Sequence, residues 1–195
     1  MSAISERRER ERAHRHQLII TAARELAETE GWEAVTTRRL AERVEYSQPV
    51  LYSHFNGKDA IVSAVALDGF GELATQLRRA RQAAPEQALR AVAGAYLAFA
   101  TERPALYQAM FVLPTDLKFA STETPAPLRS CFDEFVSCFR PDNERRGLFA
   151  EVVWSTLHGI AVLSDSGRIP SEWREERLDF LVAQFSDDPR NPSAR

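Results

Sequence analysis

Between residues 36 and 58 this chain gathers side chains able to bind an anionic polymer. Thr36 and Thr37 stand where a helix would begin. A helix start already points free N–H groups and a partial positive charge at an anion. Arg38 follows, with a planar fork that fits a guanine edge. Ten residues on, Gln48 can pair with adenine, and Pro49 or Val50 can touch a thymine methyl. Arrangements that carry catalysis are missing. The sequence has no phosphate loop, no dinucleotide fingerprint and no His/Cys/carboxylate cluster with metal spacing. His14 and His16 are two apart, so they do not share a helix face. Cys131 and His158 would meet as a nucleophile pair only by tertiary accident. We therefore expect no enzyme, no metal and no cofactor.

The elements that position these residues read as helices throughout, and an all-α fold of about nine helices is expected. Ile19, Ala22, Ala23 and Leu26 follow i, i+3, i+4, i+7, one face of a helix from about His14 to Glu30 that Gly31 ends. Thr36 and Thr37 offer an N-cap for a second helix to about Val44. The tight turn Glu45-Tyr46-Ser47 follows, and Ser47 can cap a third, short helix with Pro49 in its first turn. Asn56-Gly57 breaks it, and a long helix runs from Lys58 to about Ala83. Two short helices joined by three residues are the helix-turn-helix layout, with the second short enough for a major groove.

Further helices are expected over 86–102, 105–113, 128–140, 143–165 and 171–185, with 114–127 as a proline-rich loop. The organisation expected is a charged arm over 1–13, a DNA-binding domain over 14–75, a helical bundle over 76–186 and a disordered tail over 187–195. The arm leaves two readings open. Arg7 to Arg15 suit a minor groove, while their interleaved glutamates suit a self-paired helix. Arg39 and Arg43 are expected to be solvated or salt-bridged.

Composition agrees with a globular protein rather than a nucleic-acid packaging protein. The chain has 195 residues, 44% of them hydrophobic, enough for one domain or two small ones. Net charge is −3, yet residues 1–15 carry five Arg against three Glu. Residues 36–58 carry three Arg and one Lys against two Glu. A basic face on a mildly acidic protein fits a specific DNA binder. No apolar run approaches membrane-spanning length and no signal peptide is visible, so a cytoplasmic protein is expected. Cys131 and Cys138 would lie about 10 Å apart along a helix, too far for a disulfide. Two buried, reduced thiols are expected.

The stretch from Gly31 to Lys58 resembles the DNA-binding domain of the TetR family of repressors. The resemblance rests on Ala22-Ala23, Gly31, Thr36-Thr37, Leu40-Ala41, Ser47 and, above all, Leu51-Tyr52-x-His54-Phe55-x-x-Lys58. It implies that Tyr52, His54 and Lys58 contact phosphates. Thr36, Thr37, Arg38, Ser47, Gln48, Pro49 and Val50 complete the implied DNA face. Glu45 departs from the family's usual glycine at the turn and would be strained if that position needs a positive φ. Ala27 replaces a first-helix aromatic, a gap that Trp32 is placed to fill.

A second resemblance covers roughly residues 90–165. The run from Tyr96 to Phe111, with Trp154-x-x-x-His158-Gly159, is similar to the ligand-binding domain of the subgroup named for a Trp-His-Gly signature. It implies an effector pocket lined by Tyr96, Phe99, Tyr107, Met110, Phe111, Phe132, Phe135, Trp154 and His158, and an apolar or aromatic small molecule as its occupant. An ordinary packed core would use the same aromatics. The last two helices would pair with a second copy through Trp173, Leu178, Leu181, Val182 and Phe185. The expected function is a homodimeric repressor released from a palindromic double-stranded operator by a small molecule. A helical protein-interaction adaptor and a ligand-independent DNA-binding regulator are the alternatives.

Overall fold

The computed structural model describes residues 3–185. Among them are nine α-helices and no strand: α1 (Ala3–Glu30), α2 (Thr37–Arg43), α3 (Gln48–Tyr52), α4 (Lys58–Ala83), α5 (Ala88–Glu102), α6 (Pro104–Phe111), α7 (Ala126–Val136), α8 (Arg146–Asp165) and α9 (Arg174–Phe185). The tail expected over 187–195 lies outside the described residues.

Two compact units make up the chain. The first holds residues up to Gly69 together with Arg103–Lys118. The second holds Phe70–Glu102 together with residues from Phe119 on. This division differs from the contiguous 14–75 and 76–186 expected from sequence. The chain returns to the first unit to build α6 there. Two polar clasps hold α6 in place. The Glu28 carboxylate accepts from the backbone N–H of Ala105 (3.2 Å) and Leu106 (3.0 Å). Those are first-turn donors that no helix can satisfy internally. The buried indole N–H of Trp32 donates to the Ala105 carbonyl at 2.7 Å. Gly69 lies so close to α6 that a Cβ there would stand 2.7 Å from the Met110 sulfur.

In the first unit α1 buries Ile19, Ala22, Ala23, Leu26 and Ala27. It begins at Ala3, so the segment expected as a separate arm is part of the helix. Arg7 and Arg15 both pair with Glu11 at i,i+4 spacing, at 2.8 and 4.0 Å, which supports helix where no apolar face does. Gly31 ends it with φ 81°. Thr36 caps α2 by accepting from the Arg39 N–H at 3.2 Å. At the far end, the Tyr46 N–H reaches back to the Ala41 carbonyl at 2.9 Å. That closure puts Glu45 at φ 56°, the left-handed conformation a glycine would adopt freely.

The second unit packs α5 against α7, α8 and α9. Its core includes Leu89, Val92, Tyr96 and Phe99 from α5, Cys131 and Phe135 from α7, Val153 and Leu157 from α8, and Leu178 and Leu181 from α9. A buried carboxylate, Glu134, accepts from Arg78 Nε at 2.8 Å and Arg81 Nε at 2.9 Å. Burial pushes the thiols of Cys131 and Cys138 up to about 12, so both free cysteines are poor nucleophiles. One expectation needs correcting. At 20 residues, α8 is long and apolar enough to cross a membrane by length and composition. The sequence reading missed it because Glu151 and polar residues interrupt the apolar run, while Ala150, Val153, Leu157 and Ala161 form its buried stripe.

Candidate nucleic-acid interface and effector core

The four residues from Val44 to Ser47 join α2 to α3, and Leu40, Ala41, Leu51 and Phe55 hold the pair from beneath. The polar side chains are thereby turned outward. Gln48 and Pro49 are exposed at the start of α3, Val50 is half-buried, and Tyr52 is 54% exposed. Ser47 caps α3 by position but makes no side-chain cap bond, so its hydroxyl is available to another acceptor. The Tyr52 hydroxyl lies 3.5 Å from Thr37 Oγ1, linking the end of α3 to the start of α2. Thr36, Thr37, Tyr52 and the first turn of α2 thus gather donors around one point. Arg38 is exposed, with Nε on Glu42 at 2.9 Å. That carboxylate would have to release it before it could read a base. Arg39 pairs with Glu30 through both terminal nitrogens, at 2.9 and 2.7 Å. Arg43 pairs with Glu25 at 2.9 Å. These two are salt-bridged, as expected.

His54 and Lys58 have inner duties that spacing does not reveal. Lys58 Nζ donates to the Trp32 carbonyl at 2.6 Å. One of its three donors therefore fixes the turn after α1, and its charge stays near the start of α4. His54 is half-buried, and its Nδ1 is buried with no hydrogen-bond partner. His16 stacks on Phe55 with ring centroids 4.3 Å apart and stands 6.1 Å from His54. Burial holds both imidazoles below the ordinary range, and the positive charge of Arg12 adds to the shift at each.

In the second unit Tyr96, Phe99 and Phe135 are at most 1% exposed. Tyr96 and Phe135 meet edge to face at 5.7 Å, the geometry of a filled core. Phe132 is half-buried. Trp154 and His158 are half-buried on α8, one turn apart, with centroids 6.3 Å apart. Burial holds His158 below its ordinary range. Tyr107, Met110 and Phe111 stand on α6, hence in the first unit. Tyr107 and Phe111 pack together at 4.7 Å.

The expected self-association stripe needs correcting at one position, Leu178. Leu178 and Leu181 are 3% and 6% exposed. Leu178 faces its own α5, 3.8 Å from a Cβ built on Gly94, whereas Leu181 also lines the groove that holds Phe180. Arg90 locks that orientation by pairing with Glu175 and Asp179. Val182 and Phe185 are half-buried, with Phe185 edge to face against Phe149 at 5.8 Å. Trp173 (60% exposed) faces out, as does Phe180 (70%), which sequence reasoning missed. With Ile160 they line a shallow apolar groove on α8 and α9. The seven-residue spacing of Trp173 and Phe180, about two helical turns, was the available signal.

Comparison with known proteins agrees with this geometry. Residues 19–65 match the family described as bacterial regulatory proteins, tetR family. Residues 89–185 match the tetracyclin repressor-like C-terminal domain. The uncharacterized HTH-type transcriptional regulator Rv0681 of Mycobacterium tuberculosis is 27% identical over 76% of this chain and 69% of its own length. The tetracycline repressor protein class C of Escherichia coli is 48% identical over 50 residues, 26% of this chain and 23% of the repressor. A protein of unknown function from Rhodococcus sp. RHA1 shares the fold, with TM-score 0.68 and 24% identity over 85% of this chain and 92% of that one.

Proposed function

The chain belongs to the tetR family of bacterial regulatory proteins, a DNA-binding transcriptional regulator, and on that premise we propose that it is a homodimeric repressor whose operator is vacated when a small molecule enters the second unit. The observation that carries this reading is α3, which offers Gln48, Pro49 and Tyr52 to the outside while Leu51 anchors it inside. Phosphates would be held by Thr36, Thr37, Ser47, Tyr52, His54 and the remaining donors of Lys58. Bases would be read by Gln48, Pro49 and Val50, and by Arg38 once it leaves Glu42.

The apolar groove with Trp173 and Phe180 supports pairing of two copies through α8 and α9. Two copies present two recognition helices to one face of the duplex, so the operator is an imperfect palindrome. The effector site we propose lies among Tyr96, Phe99, Phe132, Phe135, Trp154 and His158, for an apolar or aromatic molecule. Its fully buried members mean that the ligand selects a more open arrangement of the second unit. A preference of about 5.5 kcal/mol for the state that cannot bind DNA would reverse a 99:1 population. The regulator acts in the cytoplasm, where operator DNA is.

The test is fluorescence anisotropy on duplexes that the purified protein selects from a random-sequence pool, read at several salt concentrations. Palindromic selected sites with a steep salt dependence are expected. Failure to enrich any sequence would overturn the reading.

A further inference from the structure

Residues 4–15 of α1 are all exposed, and Ile19 is the first fully buried residue of the helix. At 1.5 Å per residue, residues 3–18 therefore reach about 24 Å ahead of the packed part of α1. The overhang is not evenly charged. Ile19, Ala23 and Leu26, at most 2% exposed, form the stripe that packs α1 onto its unit. Counted backwards in helical steps of four and three, that stripe continues through Arg15, Arg12 and Arg8. Arg10 stands half a turn away, Glu6 lies on the far side, and Glu9 and Glu11 flank the stripe on either edge. Arg7 and Arg15 share Glu11. Among the described residues, Arg8, Arg10 and Arg12 form no ion pair.

The root of this overhang lies beside the recognition helix. His16 stacks on Phe55 at 4.3 Å and stands 6.1 Å from His54. Both partners follow α3 within three residues. The charges of Arg12 and Arg15 are felt at His54, so the basic stripe begins at the edge of the DNA face. Helicity also decides how it can meet DNA. A helix about 10–12 Å across does not enter a minor groove about 6 Å wide. Long guanidinium side chains along one face reach phosphates instead.

We propose that Arg8 and Arg12 form a second, helical contact with DNA, binding backbone phosphates next to the half-site that α3 reads. This rests on the DNA-binding reading above and extends the operator contact beyond the helix-turn-helix. The contact adds affinity and salt dependence without reading sequence.

Arg10 supplies the control, having the same charge on the same overhang but the opposite face. Binding of a duplex selected by the unaltered protein is measured against salt for Arg8→Ala, Arg12→Ala, Arg10→Ala and Tyr52→Ala, with helical content checked by circular dichroism. Arg8→Ala and Arg12→Ala should each reduce the slope of log K against log salt by about 0.9, and Arg10→Ala by much less. If all three arginine variants behave alike while Tyr52→Ala still weakens binding, the second contact falls and the repressor reading stands. If the unaltered protein selects no duplex, both fall.

Discussion

The first unit turns Gln48, Pro49 and Tyr52 outward on a five-residue helix, whereas the second turns out Leu148, Val152 and Phe180 on its last two helices and Trp173 just ahead of the last. One surface is donor-rich and flanked by arginines; the other is apolar and aromatic. Exposed aromatics in this number are a liability on a solitary protein and an asset where a copy covers them. On the function proposed above, one face serves a charged polymer and the other a surface like itself. The core beneath is similar in both units. Function divides by what is left outside, and each prediction tests one side of that division.

The largest effect should come from the apolar side. Phe180→Asp leaves the protomer fold intact, because Phe180 is 70% exposed. It should convert a dimer to a monomer by sedimentation. Operator affinity should then fall on the order of 10²–10⁴-fold, because the second recognition helix no longer binds as part of the same molecule. A dimer that survives would show that another surface holds the copies together. On the donor side, Tyr52→Ala removes a hydroxyl that makes only one weak contact inside the protein, the 3.5 Å approach to Thr37. Stability should hardly change. Affinity should fall about 10–100-fold, the loss of a hydrogen bond to a charged group worth about 1.5–3 kcal/mol. Equal losses of stability and affinity would make Tyr52 a structural residue.

A third variant asks what keeps the donor face in register. Trp32→Phe retains the apolar bulk and deletes the N–H that reaches Ala105 at 2.7 Å in a buried setting. Leaving that carbonyl unpaired should cost about 1–3 kcal/mol. At about 2–4 °C per kcal/mol for a chain of this size, the loss is visible in thermal unfolding. An unchanged melting temperature would mean that packing alone holds α6.

How legible was this in the sequence? The helix-turn-helix was, because each of its signals is local. Thr36 caps three residues ahead, Gly31 stops the helix it follows, and Leu40, Leu51 and Phe55 keep a short-range period. The placement of α6 was not, since its clasps run from Glu28 and Trp32 to residues 73 to 78 positions away. Spacing carries no record of such pairs. The stripe on α9 failed differently. Amphipathic pattern says that Leu178 and Leu181 share a face, but not whether that face meets α5 or a second copy. The same limit applies to Tyr96, Phe99 and Phe135, where a filled core and a closed pocket demand identical residues. The start of α1 was legible only as one of two readings, because no hydrophobic period marks it and Arg–Glu pairing carries that helix instead.

Glu45 is a smaller lever on the donor side. Its φ of 56° places a side chain where glycine adds no strain. Glu45→Gly should therefore stabilise the fold by about 1 kcal/mol, offset in part by the greater freedom of glycine in the unfolded chain. The readout is the denaturation midpoint together with the selected operator sequence. A midpoint that drops would show that the Glu45 side chain has a favourable contact outweighing the strain.

The smallest predicted effect separates the units by pH. His16 and His54 in the first unit, and His158 in the second, are all held below the ordinary value of 6.5, chiefly by burial. After burial, His16, Arg12 and Arg15 oppose a proton on His54, and Arg12 opposes one on His16; burial is the cause at His158. Such a histidine is neutral in the fold, so the unfolded chain takes up its proton first. Stability present above pH 6.5 is then lost as pH falls through the window beneath that value. Melting temperature should drop on acidification, and His54→Asn should flatten the drop in the first unit while His158→Asn flattens it in the second. The charge term sets the two apart. Added salt should screen the arginines and shrink the pH effect that His54 governs, while leaving the effect of His158 nearly unchanged. Equal salt sensitivity would mean that burial alone sets both, and that Arg12 and Arg15 face away from the imidazoles in solution.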